Sequence, residues 1–167
     1  LFRGQLDPQI SYMSQIWSVV GGIASPAEAH KALRAVASAK DAVRPGTPYA
    51  YHSYVQALID SGLHAEAYDA LVSYWGGMAA KGADTFWEAY DPNDDYLSPY
   101  GFYQMNSYCH AWSCTPVYLI RQYPEIFQKS APNNTKRVAR NPLSQSRRII
   151  LFRVRRTEPM LYKIIQM

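Results

Sequence analysis

Residues 47–62, TPYAYHSYVQALIDSG, contain the signals for one complete helix with both of its ends. Thr47 followed by Pro48 predicts the start, because threonine can accept a hydrogen bond from the first turn and proline suits the first helical position. Gly62 predicts the end, since glycine readily adopts the left-handed conformation that follows many helices. Apolar side chains recur at the spacing of one helical face, at Tyr51, Val55, Leu58 and Ile59.

The same start signal occurs at two other places in the first 125 residues, at Ser25-Pro26-Ala27-Glu28 and at Thr115-Pro116. The first of these also has a glutamate at the capping-box position. Two further apolar stripes have helical spacing, one at Ile10, Met13, Ile16/Trp17 and Val20, the other at Ala67, Leu71, Tyr74/Trp75 and Met78. Before residue 145 we find no alternating strand pattern. Short connections make neighbouring helices antiparallel, so the sequence predicts an all-α array of helical hairpins.

The charge of the chain changes sign along its length. Residues 1–128 hold 7 Lys/Arg and 12 Asp/Glu, a net charge of −5, whereas residues 129–167 hold 10 and 1, a net charge of +9. A single globular domain rarely changes so abruptly. We therefore place a boundary near Pro132, between a domain of residues 1–132 and a basic tail of residues 133–167.

The basic tail could bind phosphate groups, but it lacks the features of a nucleic-acid-binding domain. Its stacking rings are few, Phe152 and Tyr162, and no nucleic-acid motif occurs, so no nucleic-acid partner is predicted. Three explanations stand: a basic arm, a disordered extension, or residues from a shifted reading frame. We favour the third, because charge, apolar content and helical pattern change together. Deletion of residues 133–167 is then expected to leave the helicity unchanged.

The sequence gives little on location. No uninterrupted apolar run approaches the ~20 residues of a membrane helix, so no membrane association is predicted. The chain begins with Leu1 and without a signal-peptide pattern, and we expect the true N-terminus to be missing. Periplasmic and cytoplasmic locations both remain open, as does the oligomeric state.

No metal or other cofactor is predicted. Cys109, His110 and Cys114 supply three possible soft ligands, but a closed zinc site needs four, and no fourth is evident. An acidic spacing at Asp91, Asn93 and Asp95 resembles the start of a calcium loop. It lacks the glycine and glutamate that an EF-hand requires at later positions, where Tyr96 and Phe102 stand.

Two aromatic motifs carry the chemistry, Thr85-Phe86-Trp87-Glu88 and Cys109-His110-Ala111-Trp112-Ser113. They lie in a long segment between Gly82 and Ser113 that is rich in acids and rings, and such segments often hold functional residues. A carboxylate beside one indole and an imidazole beside another suit a sugar-cleaving pocket. The rings can stack on pyranose faces, while the carboxylate and imidazole bind water and hydroxyls.

Each of these residues also has a structural interpretation. A carboxylate in a loop is more often solvated or paired than catalytic, although Trp87 could desolvate Glu88 and raise its pKa. His110 could be a packed histidine, and Trp112 could belong to the core or to a sugar platform. The residues that we expect in the core or along the barrel lining are Trp17, Tyr51, Tyr54 and Trp75.

Four phrases in this order resemble the catalytic domain of bacterial α-L-rhamnosidases, the family 78 glycoside hydrolases. The phrases are 15–24 (QIWSVVGGIA), 46–51 (GTPYAY), 82–88 (GADTFWE) and 109–116 (CHAWSCTP). The resemblance covers residues 5–128, in the C-terminal half of that domain. It implies part of an (α/α)6 barrel, in which six hairpins form two concentric rings. The chain is accordingly expected to be a fragment of a six-hairpin glycosidase.

The resemblance also implies roles for the site residues. Enzymes of this type are inverting: one carboxylic acid protonates the leaving oxygen, and a second carboxylate activates water. Glu88 matches the general base, His110 matches a sugar-binding position, and Trp87 and Trp112 would form pocket walls. The implied substrate is terminal α-L-rhamnose or a related deoxyhexose.

The general acid of the family lies upstream of the matched region, so the fragment alone is expected to be inactive. Two alternatives remain at this point. The first is another (α/α)6 glycosidase that acts on a different sugar, and the second is a non-catalytic helical-hairpin module that binds a partner.

Overall fold

A computed structural model describes residues 1–2, 9–128 and 164 of the chain. They form six α-helices: α1 (Tyr12–Val20), α2 (Pro26–Ser38), α3 (Pro48–Asp60), α4 (His64–Ala80), α5 (Thr115–Gln122) and α6 (Pro124–Phe127). Two short 3-10 turns, Tyr103–Met105 and Ala111–Ser113, lie between α4 and α5. This part of the chain has no β-strand beyond two isolated bridges. The predicted all-α fold is confirmed.

Two of the predicted helix starts have the expected caps. The Ser25 N–H donates to Glu28 Oε2 at 2.9 Å at the start of α2, as the capping box predicts. At the start of α3, Thr47 Oγ1 accepts a hydrogen bond from the Ala50 N–H at 3.5 Å. Each contact gives one main-chain N–H at the start of its helix a partner, which stabilises the helix.

The predicted cap at Thr115 is wrong. The helix α5 already includes Thr115, its cap position is Cys114, and Thr115 Oγ1 is buried without a hydrogen-bond partner among the described residues. The reason is local: the 3-10 turn Ala111–Ser113 leads directly into α5, and Cys114 already has φ −78° and ψ 8°. The preceding backbone is therefore not in the extended conformation that a capping threonine needs.

The helix α3 lies at the centre of the packing. It contacts α1, α4 and α5, while α2 packs against α1 and α6 against α4 and α5. The connection from α3 to α4 is three residues long and contains Gly62 at φ +73°, a left-handed conformation that glycine adopts without strain. Within each of the pairs α1–α2 and α3–α4, the two helices are thus joined by a short turn and pack against each other, as the hairpin pattern predicts.

The core between these helices is apolar and aromatic. Its fully buried side chains include Ile16, Leu33, Leu58, Leu71, Trp75 and Phe127. Burial of each such side chain stabilises the fold by about 1.5–3 kcal/mol. The rings of Tyr51 and Tyr74 stack with centroids 3.6 Å apart. Trp75 and Tyr54 are buried in the core, as expected, while Tyr51 is partly buried and packs against it.

Trp17 does not lie in the core, the first of the two positions expected for it, since it is 46% exposed. Successive helical residues point about 100° apart, and α1 turns Ile16 rather than Trp17 toward the core.

Ile164 is fully buried in the same core cluster. The predicted boundary near Pro132 and the rest of the 133–167 tail lie outside the described residues. Within the described part of the chain, no helix is both long and apolar enough to cross a membrane.

Candidate active site

Main-chain hydrogen bonds bring the two aromatic motifs side by side. The Glu88 N–H donates to the Ser107 carbonyl at 2.8 Å, and the His110 N–H donates to the Phe86 carbonyl at 2.8 Å. Because these bonds join residues about twenty positions apart, they fix the register of one segment against the other. The structure therefore places Glu88 and His110 next to each other, as a shared site requires.

Side chains reinforce this pairing and connect it to the helical core. The hydroxyl of Ser113, which is fully buried, donates to the Trp87 carbonyl at 2.8 Å. The indole N–H of Trp75 on α4 donates to the Ser113 carbonyl at 3.0 Å. Thr85 Oγ1 donates to the Tyr108 carbonyl. The site thus lies on irregular backbone that is held by the buried Trp75 side chain of α4, an arrangement that limits its movement.

The Glu88 carboxylate has protein donors on both oxygens. Its side chain is 3% exposed. Oε1 accepts a hydrogen bond from the Tyr100 hydroxyl at 2.5 Å, and Oε2 accepts one from the Ser107 N–H at 3.1 Å. His110 Nδ1 lies 3.8 Å from Oε2.

These contacts decide the charge of Glu88. Burial raises its pKa, but the hydrogen bonds from Tyr100 and Ser107 and the charge of His110 lower it further than burial raises it. The pKa of Glu88 therefore lies below its ordinary value, and the group is a carboxylate at neutral pH. The prediction from the sequence that desolvation by Trp87 leaves the pKa of Glu88 raised is therefore wrong.

His110 and Trp112 form the more open side of the site. The imidazole ring lies 4.6 Å from the Trp112 ring, and the His110 side chain is 28% exposed. Trp112 is 42% exposed, and its ring centroid lies 5.9 Å from that of Tyr49, which is 54% exposed. Trp112 is therefore a surface platform and not a core residue. Tyr49 extends this platform, although the sequence analysis did not single it out.

Trp87 faces a different space. Its ring contacts those of Tyr90 and Tyr108, with centroids 6.2 and 5.5 Å away. Together with Lys81 and Asn106, these rings line a cavity of about 140 Å³. Glu88, His110 and Trp112 do not line this cavity. The structure thus brings Glu88, His110 and Trp112 together, while Trp87 lines a cavity that these three residues do not line.

The acidic residues of the loop cap its turns. Asp91 Oδ1 accepts a hydrogen bond from the Asn93 N–H at 2.8 Å, and Asp94 Oδ1 accepts one from the Tyr96 N–H at 2.9 Å. Asp95 forms an ion pair with Lys81. Among residues 1–2, 9–128 and 164, no three His, Cys, Asp or Glu side chains are grouped so as to hold a metal ion.

Sequence analysis missed Tyr100 and Ser107. Tyr100 lies in the turn Ser98-Pro99-Tyr100-Gly101, and a ring held in a tight turn was the one available signal for it. Ser107 acts through its main chain, which carries no residue-specific signal.

The chain is similar to a solved rhamnosidase. No protein-family model matches it, and no curated protein matches it either. A rhamnosidase from Klebsiella oxytoca, solved with rhamnose bound, matches with a TM-score of 0.68 and 45% sequence identity. The match covers 72% of this chain but 23% of that protein, so the chain corresponds to about a quarter of the enzyme's length. The helical fold described above is thus similar to a part of that rhamnosidase.

Proposed function

We propose that the chain carries the general-base side of an inverting glycosidase site of the family 78 type, specific for terminal α-L-rhamnose or a related deoxyhexose. The observation that carries this proposal is the buried Glu88 carboxylate, held beside His110 and the exposed Trp112 ring. The similarity to a rhamnosidase solved with rhamnose supports the choice of sugar. A partial six-hairpin barrel is the architecture that goes with this proposal.

In the proposed reaction, Glu88 takes a proton from a water molecule as the water oxygen bonds to the anomeric carbon. The bond from that carbon to the leaving oxygen breaks, and a second carboxylic acid protonates the leaving oxygen. In inverting enzymes the two carboxyl groups stand about 6.5–9.5 Å apart, which leaves space for the water. We propose that the second acid is not among the described residues, so the chain alone binds sugar without cleaving it.

His110 and Trp112 would bind the sugar. The imidazole can donate a hydrogen bond to a ring hydroxyl or accept one from it, and the indole can cover an apolar pyranose face. Trp87 is proposed as a third contact, from the neighbouring cavity. No metal or cofactor enters this scheme, because proton transfer between carboxyl groups and water suffices for the chemistry.

The test is titration of the intact chain with rhamnose, in which binding is monitored by tryptophan fluorescence and by NMR. His110→Ala is expected to weaken binding by about 0.5–1.5 kcal/mol, the usual contribution of one hydrogen bond. Trp112→Ala should also weaken it, while Glu88→Gln should leave binding largely intact. Trp17→Ala is the matched control, because Trp17 is similarly exposed but lies on α1.

Turnover needs the longer enzyme. In a rhamnosidase that includes this region, Glu88→Gln should abolish hydrolysis of a rhamnoside, whereas Glu125→Gln on the exposed surface should not. Near-normal turnover by the Glu88 variant would refute the base assignment. A chain that binds no rhamnose would refute the sugar-binding role.

One observation favours a second candidate, a non-catalytic helical-hairpin module that binds a partner. Trp17, Val20 and Ile23 form an apolar surface at the end of α1, with exposures of 46, 41 and 75%. Exposed apolar patches often mark protein contacts. Light scattering would test this candidate: assembly that is lost on Trp17→Ser, without rhamnose binding, would favour it.

A further inference from the structure

The two oxygens of Glu88 have different surroundings. Oε2 accepts a hydrogen bond from the Ser107 N–H at 3.1 Å and lies 3.8 Å from His110 Nδ1. Oε1 accepts its hydrogen bond from Tyr100, a residue that is 54% exposed. A nearly buried carboxylate is therefore covered on its outer side by a side chain that reaches in from the surface.

The turn that carries Tyr100 is held in place. The Ser98 hydroxyl accepts a hydrogen bond from the Tyr100 N–H at 3.2 Å, and the Gly101 N–H donates to the Ser98 carbonyl at 3.4 Å. Gly101 has φ +78°, so glycine completes the turn without strain. The phenol is therefore directed at Glu88 by the local backbone.

We propose that Tyr100 is a positioning residue: its hydroxyl holds Glu88 Oε1 and so fixes the orientation of the carboxylate beside His110. This inference rests on the proposed function of Glu88. A carboxylate oxygen can accept two hydrogen bonds, so Oε1 keeps a free lone pair beside the one that Tyr100 uses. A phenol is neutral at pH 7, and it can orient the carboxylate without neutralising its charge.

The titration behaviour of the pair agrees with this geometry. The hydrogen bond to Glu88 raises the pKa of Tyr100, and burial adds to the rise. The same bond is one of the contacts that lower the pKa of Glu88 against the effect of burial. Because a hydrogen bond to the charged form favours that form, removal of the phenol should make Glu88 easier to protonate.

The experiment compares Tyr100→Phe with Tyr96→Phe in the full chain. Both changes remove one hydroxyl and keep the ring, and Tyr96 lies in the same loop, where its ring packs on Tyr103. The pKa of Glu88 is read from its 13C carboxyl resonance, which Glu88→Gln identifies by its loss. We expect an upward shift of this pKa in Tyr100→Phe and none in Tyr96→Phe. An unchanged pKa of Glu88 in Tyr100→Phe overturns the proposal.

A second readout separates this proposal from the proposed function. The reciprocal variant, Glu88→Gln, should lower the pKa of Tyr100, measured from its ultraviolet absorbance. A wild-type chain that binds no rhamnose refutes the proposed function, while the carboxyl titration still decides whether Tyr100 positions Glu88.

Discussion

The indole N–H of Trp75, buried in the C-terminal half of α4, donates a hydrogen bond to the Ser113 carbonyl at 3.0 Å. Ser113 in turn donates to the Trp87 carbonyl, directly before Glu88. One helix side chain therefore supports both segments of the candidate site. This link explains how irregular backbone can hold a carboxylate and an imidazole in a fixed relationship.

Trp75→Phe should weaken this link. The variant keeps an aromatic ring in the core but leaves the buried Ser113 carbonyl without its indole donor, at a cost of about 1–3 kcal/mol. Urea unfolding followed by circular dichroism measures the loss. Trp17→Phe is the control, because Trp17 is exposed and should change stability by no more than about 0.5 kcal/mol. Equal effects of the two variants would contradict the structural role of the hydrogen bond.

Gly77→Ala should destabilise the contact between α4 and the loop after Glu88. A Cβ at this position would lie 2.9 Å from the Tyr90 ring carbon Cε1, and Tyr90 is itself buried. Overpacking of this kind costs about 1–3 kcal/mol, which outweighs the better helix propensity of alanine. The unfolding midpoint in urea should fall. Gly46→Ala meets nothing within 4 Å and serves as the control.

Stability should depend on pH through Glu88. Burial raises its pKa, but Tyr100, Ser107 and His110 together hold it below the ordinary value, and hence below its value in the unfolded chain. The stabilisation from ionised Glu88 is then fully present above the unfolded pKa, about 4.3, and is lost as the pH falls through the folded value.

The measurement is the free energy of unfolding at a series of pH values between 7 and 3. The difference between wild type and Glu88→Gln should shrink toward the acidic end. Trp17→Phe, which removes no ionisable group from an exposed position, should give a curve parallel to that of the wild type. A difference between wild type and Glu88→Gln that stays constant over this range would show that Glu88 does not titrate as expected.

Ile164→Ala should lower stability by about 2–5 kcal/mol, because Ile164 is fully buried in the core and its truncation leaves a cavity. Ile23→Ala is the matched control at 75% exposure, and it should have little effect. Thermal unfolding of both variants provides the measurement. If Ile164→Ala changes stability as little as the control does, Ile164 does not stabilise the core. That outcome would favour the boundary predicted near Pro132 and the expectation that deletion of residues 133–167 leaves the helicity unchanged.

Much of the helical framework could be predicted because its signals are local. Ser25 with Glu28, and Thr47 with Pro48, determine where helices begin through contacts within one turn. Thr115 carries the same signal, but the 3-10 turn before it had already brought the backbone into a helical conformation. Trp17 could not be assigned to a face from spacing alone, since adjacent Ile16 fits the same stripe and only packing decides between them.

The sequence by itself determined the all-α fold, the helix starts at residues 26 and 48, and the two motifs that hold Glu88 and His110, because each depends on neighbouring residues. Only the tertiary structure decided that Tyr100 and the Ser107 main chain bind the Glu88 carboxylate and that Trp87 faces a separate cavity. The physical reason is that these contacts join residues distant along the chain. Their geometry depends on the buried helix α4 beneath them, and no local sequence signal encodes it.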